Sequence, residues 1–168
     1  AYAEDNLYRP FYEQLNAHPN IEVRTDNDGE PRLMHSRFMI VDGVKVVMGS
    51  YNWSVEGCNR TMGDVLIISD AEVAKAFTTE FNQMFVDGKF GAAKRDCTKH
   101  AFMVAGGAGI IEVYFGPTNS LDELLTAEIE PSMYVVGAIQ QFSDIGFANY
   151  VLQWAQGTVG TADPEERC

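Results

Sequence analysis

The stretch MHSRFMIVDGVKVVMGSYNWS, residues 34–54, decides how this chain is read. Two apolar runs flank Asp42-Gly43, a pair favoured in two-residue hairpin loops because both positions take φ > 0. With those residues as the loop, Val41 faces Val44 and partner numbers sum to 85. Met39 then faces Val46, Arg37 faces Met48 and His35 faces Ser50. Side chains alternate between faces, so His35 and Arg37 share a face with Ser50 and, if the strand continues, Asn52. Directly opposed Cβ atoms lie about 5 Å apart. Asp42 stays in the turn, where Asp is favoured for local backbone reasons.

Two readings of these polar residues are open on geometry alone. In one, His35 and Ser50 form a satisfied cross-strand pair, and Arg37 and Asn52 reach solvent. In the other, an imidazole sits beside a cation and two neutral donors, a set suited to attack on a phosphodiester. Imidazole has an ordinary pKa of about 6.5, so its neutral form is available at pH 7. The cation and donors would hold phosphoryl oxygens as charge develops.

Composition bounds the alternatives. The chain of 168 residues is 46% hydrophobic and 21% charged, the balance of a globular protein with a core to bury. Its formal charge of −12, from 24 acidic and 12 basic residues spread evenly, argues against a broad electrostatic grip on nucleic acid. A small local phosphate site remains compatible with that charge. Cys58, Cys97 and Cys168 lack metal-ligand spacing and are odd in number. No apolar run approaches the roughly 18 residues of a transmembrane helix. AYAEDNLYRP lacks the zones of a signal peptide, so none is expected within these residues.

Outward from the hairpin, residues 7–18 read as a short amphipathic helix with Tyr8, Phe11, Tyr12 and Leu15 on one face. IEVR (21–24) alternates like a strand, and TDNDGEP (25–31) is a loop. DVLII (64–68) reads as a buried strand. Ser69 with Glu72 makes a capping-box signature for a helix whose inner face is Val73, Phe77, Phe81, Met84 and Phe85. Periodicity fades over 89–109, the expected linker. It resumes with strand IIEVYF, a turn at Gly116-Pro117, a helix capped by Ser120 with Glu123, strand MYVVGAI and a helix over about 143–156. Alternating strands and helices predict an α/β sandwich with a mixed sheet.

The string His35-x-Arg37-x4-Asp42-x6-Gly49-Ser50-x-Asn52 resembles the HxKxxxxD…GSxN signature of the phospholipase D superfamily. GSYNWS, followed by a strand and the helix EVAKAFTTEFNQMF, is most similar to the nuclease-like branch. The resemblance covers about Tyr8 to Phe85. It implies an α/β/α sandwich and a metal-independent phosphodiesterase, with no cofactor, acting on nucleic acid or a phospholipid headgroup. It also implies His35 as nucleophile or acid, Arg37 as the cationic partner, Asp42 as the motif aspartate, and Ser50 and Asn52 as phosphate ligands. Such proteins pair two motifs, within one chain or across a homodimer. One His forms a phosphohistidine and the other protonates the leaving group.

The later segment, residues 110–144, resembles a part of the same fold that precedes the signature in this family. The expected organisation is therefore 1–88 as the C-terminal half of one such domain, 89–109 as linker, and 110–168 as the N-terminal half of a second. A circular permutation is the other arrangement compatible with this order. Two departures stand out. Arg37 replaces the family's Lys with a wider planar fork. Gly63 stands at the Glu of the family's NxEN segment, and the neighbouring Asp64 would face the other way on a regular strand. His18 and His100 lack the motif pattern and read as surface residues. With one motif present, the partner is expected from a second copy or from sequence outside this stretch. A catalytically degenerate scaffold or phosphate-binding module is the alternative.

Overall fold

The computed structural model describes residues 9–26, 34–54, 57, 59–104, 106–139 and 141–157. Tyr8, most of the polar run 25–31, Cys58 and the acidic tail lie outside the described residues. The elements are α1 (Arg9–Asn16), β1 (Phe38–Val41), β2 (Lys45–Met48), β3 (Leu66–Ile68), α2 (Ala71–Phe85), β4 (Ala101–Met103), β5 (Ile110–Glu112), α3 (Leu121–Ile129) and α4 (Ile145–Ala155). Helices and strands mix as in a phospholipase D-like α/β fold. The mixed sheet expected is, among the described residues, two antiparallel ladders, β1-β2-β3 and β4-β5. The chain divides into two compact units, residues 1–118 and 119–168.

In the first unit the hairpin turn forms as its sequence dictates. Asp42 takes φ 54° and Gly43 φ 67°, and Val44 N–H donates to Val41 O at 3.1 Å. Its register differs from the two-residue expectation. Phe38 pairs with Met48, Ile40 with Val46 and Val41 with Lys45, so partner numbers sum to 86 and Val44 is an extra residue. A slip of one exchanges the faces of a strand. The observed register puts Phe38, Ile40, Val46 and Met48 on one face against α2, whereas the other would have set Lys45 beside Ile40. Val46 is fully buried there, in a cluster with Ile68, Val73, Ala74 and Phe77.

Helix α2 starts one residue later than its capping signature suggests. Asp70 is the N-cap, its Oδ1 accepting the Glu72 and Val73 amides at 2.8 and 3.0 Å. A carboxylate also complements the positive end of the helix dipole. Its buried face is Val73, Ala74, Ala76, Phe77, Glu80 and Gln83, while Phe81 is 39% exposed. Phe77 meets Phe38 and Phe115 edge-on, with ring centroids 5.1 Å apart in each pair. Residues 21–24, read as a strand, join no ladder. Arg24 instead lays its guanidinium 4.8 Å over the Phe85 ring and donates to the Phe85 carbonyl.

The stretch read as linker belongs to the first unit, because its side chains are anchored. Lys94 is buried against Glu80 of α2, and Gln83 Nε2 donates to Arg95 O at 2.9 Å while its Oε1 accepts from Arg95 N at 2.8 Å. Phe102 in β4, with Val113 and Phe115 after β5, joins the core around Phe77. The second unit holds α3 and α4, tied by Tyr150 Oη donating to Thr126 O at 3.1 Å. Ser120 caps α3 without a side-chain bond, and Asp144 caps α4 by accepting the Phe147 amide at 2.9 Å. Residues 133–139, read as a strand, form no ladder, and Val136 is 87% exposed.

His100 is half-buried rather than a plain surface residue. Its Nδ1 lies 2.8 Å from Val113 O and its Nε2 2.9 Å from the Asp96 carboxylate, with the ring stacked on Tyr114. Both neighbours are acceptors, and a neutral imidazole carries one N–H, so the protonated ring satisfies both. The Val113 carbonyl raises the pKa above 6.5; partial burial opposes it, and Asp96 adds to the rise. A raised folded-state pKa gives stability that is fully present below the unfolded value and is lost as pH rises through the folded one. The urea midpoint should therefore exceed that of His100→Gln by more at about pH 5.5 than at about pH 8.5. A pH-independent gap would show that folding leaves the ring's proton affinity unchanged, and a gap that widens with pH would show that the ring is held neutral.

Candidate active site

The motif residues sit on and just beyond the first hairpin. His35 precedes β1 and is exposed; Arg37 is half-buried. An Arg37 terminal nitrogen lies 3.3 Å from His35 Nε2. Guanidinium has donors and no acceptor, so in this contact Nε2 is the accepting nitrogen and carries a lone pair. That is the form of imidazole able to act as a nucleophile. Asp42 remains in the turn, apart from this pair.

After Met48 the chain leaves the ladder at Gly49, whose φ is 153°. A Cβ on Gly49 would stand 2.1 Å from the Asp64 carbonyl oxygen, so only glycine lets these two backbones approach. Gly49→Ala should cost at least about 2 kcal/mol in urea unfolding, because backbone has to shift to admit the methyl. Gly43→Ala, with positive φ but nothing within 4 Å of the added atom, should cost roughly 1–2 kcal/mol. Equal losses at the two positions would refute the close-approach account.

The same approach brings Asp64 into the site. Tyr51 N–H donates to Asp64 O at 3.3 Å, and Asp64 N–H donates to Ser50 Oγ at 3.1 Å. The Ser50 hydroxyl in turn donates to the Asp64 carboxylate. Asn52 is exposed, and its carbonyl accepts the Ser54 amide at 2.7 Å. Among the described residues, no hydrogen bond joins His35 or Arg37 to Ser50 or Asn52. The register that would have set His35 opposite Ser50 is not the one formed, and the structure instead presents two pairs, His35–Arg37 and Ser50–Asp64.

Sequence reasoning missed Asp64, because it assumed a regular strand at a position that lies just before β3 begins. The available signal was its place in the NxEN-like segment. A Cβ at Gly63 would lie 3.2 Å from Tyr51 Cα, so this departure from the family pattern accompanies tight backbone packing. Among the described residues, no group of three His, Cys, Asp or Glu side chains could hold a metal ion.

Residues 2–85, half of the chain, match the family model described as "Cardiolipin synthase, PLD-like domain". The chain belongs to the phospholipase D superfamily. It is similar to the mitochondrial cardiolipin hydrolase of Homo sapiens, 37% identical over 65 residues that cover 39% of this chain and 25% of that protein. The Xenopus laevis mitochondrial cardiolipin hydrolase is 33% identical over 63 residues, 38% of this chain and 30% of that one. A phospholipase D of Rickettsia conorii is 31% identical over 72 residues, 43% of this chain and 36% of that one. The matched stretch thus spans about a quarter to a third of these phospholipase D relatives. No solved structure matches.

Proposed function

We propose that this phospholipase D-like chain carries one motif of a metal-independent phosphodiesterase. The observation that carries the reading is the His35–Arg37 contact inside the matched segment, which leaves the Nε2 lone pair facing a cation. A phosphodiester oxygen arriving at the Arg37 guanidinium would take over its donors and free Nε2 for attack on phosphorus. The N–P bond forms as the bond to the leaving oxygen breaks. The departing alkoxide takes its proton from a second motif histidine, and water then cleaves the phosphohistidine. Asn52, and Ser50 when it is released from Asp64, serve as phosphate-oxygen ligands, and Asp42 supports the turn.

This chain has one such motif, so the second histidine comes from another copy in a homodimer or from sequence beyond this stretch. Residues 1–88 read as the C-terminal half of a phospholipase D-like domain, and residues from 110 onward resemble the N-terminal half of another. The substrate is a phospholipid headgroup or nucleic acid. The names of the similar proteins favour the phospholipid. Among the described residues, no helix is long and apolar enough to cross a membrane.

A catalytically degenerate, phosphate-binding member is the second reading, favoured by Gly63 and by the engagement of Ser50 with Asp64. Hydrolysis of bis(p-nitrophenyl) phosphate in excess chelator separates the two. Turnover that survives the chelator and disappears in His35→Ala supports the enzyme. Absence of turnover in a preparation that light scattering shows to be a defined dimer supports the degenerate module.

A further inference from the structure

We infer that Asp64 is a positioning residue that holds Ser50 out of phosphate binding, so that this chain's site is restrained by its own carboxylate; the inference rests on the phosphodiesterase reading above. A serine hydroxyl has one proton and two lone pairs. Here the proton is given to the Asp64 carboxylate, and a lone pair accepts the Asp64 amide at 3.1 Å. Phosphoryl oxygens are acceptors, so Ser50 has no proton to offer them while this pair is intact. A hydrogen bond to an ionised acceptor is roughly twice as strong as one between neutral groups, which favours the closed pair.

The geometry makes the restraint specific. Gly49 admits the Asp64 carbonyl within what would be 2.1 Å of a Cβ, and Tyr51 N–H bonds that same carbonyl. The backbones are therefore locked together on both sides of Ser50, and the Asp64 carboxylate accepts the Ser50 hydroxyl. Both side chains are exposed, so an arriving phosphate can reach them. When Ser50 turns toward phosphate, it leaves a carboxylate facing an anion. The charge and the lost proton act in the same direction, against binding.

Asp64→Asn keeps the shape and removes both effects. Its amide can donate to Ser50 Oγ, which leaves the hydroxyl proton free for phosphate. Inorganic phosphate binding, followed by ¹H–¹⁵N NMR on the full chain, should tighten about tenfold in Asp64→Asn, on the scale of one charge-assisted hydrogen bond. In a Ser50→Ala background the same substitution should tighten binding by clearly less, since only the carboxylate's charge is then removed and the serine proton is no longer at stake. Where a diesterase rate is measurable, KM should fall with kcat little altered. Asp64→Ser, also neutral, should show the same direction and guards against a folding defect peculiar to Asn.

An equal gain in the Ser50→Ala background overturns the proposal, because the effect is then charge alone. No gain in either neutral variant also overturns it. If phosphate binds and Arg37→Ala weakens it while Asp64 variants do nothing, the phosphodiesterase reading stands and the restraint falls. If phosphate binds neither the wild-type chain nor Asp64→Asn, both fall.

Discussion

His35→Ala should lower bis(p-nitrophenyl) phosphate hydrolysis by roughly 10⁴-fold or more, the scale on which losing a covalent nucleophile acts. The expectation comes from the lone pair on Nε2, which no other described side chain at the hairpin can replace. Arg37 accepts no proton and Ser50 has its own committed to Asp64. Arg37→Ala should cost less, roughly 10²–10³-fold, because it removes a donor to the developing charge and leaves the nucleophile in place. Rates are measured in excess chelator on protein of known oligomeric state. Retention of most of the rate in His35→Ala would remove this residue from the chemistry. Comparable losses for both variants would point to a purely electrostatic role for the pair.

Lys94→Ala should destabilise the first unit by about 3–5 kcal/mol, measured as the change in urea unfolding free energy. The side chains of Lys94 and Glu80 are 5% and 2% exposed and hydrogen-bonded to each other. Lys94 Nζ also donates to Gly116 O at 2.8 Å, and Gln83 approaches the other Glu80 oxygen at 3.5 Å. Taking two charges out of water is costly, and their mutual attraction offsets that cost only while both are present. Removing the lysine leaves Glu80 buried without its cation. The double variant Lys94→Met with Glu80→Met should recover most of the loss, since an apolar pair of similar volume has no charge to desolvate. If the double variant is as unstable as Lys94→Ala, packing rather than charge governs this corner. The pair matters for the fold because it fastens the stretch after α2, and the Gly116 turn, to the helix.

Much of this was legible in the chain itself. The spacing of His35, Arg37, Asp42, Ser50 and Asn52 carried the family, and the Asp42-Gly43 turn is dictated by two residues that accept positive φ. Helix α2 is legible because its apolar positions recur at helical spacing behind a capping signature, although the cap itself is Asp70 and not Ser69. The stretch 89–109 was not, because what orders it is remote. Lys94 finds Glu80 fourteen residues away, and Phe102 finds the core around Phe77. Composition and period are silent about such partners.

The sequence by itself determined the family signature, where the hairpin turns, and that α2 forms. Tertiary structure decided the register. Both alignments of β1 and β2 satisfy backbone hydrogen bonds, and only packing against α2 selects the one that buries Val46 and exposes Lys45. That single residue of register also separates His35 from Ser50, and the close approach at Gly49 then delivers Ser50 to Asp64. The energy of burying one sheet face is collective and long-range, so it is visible only once the helix lies on the sheet.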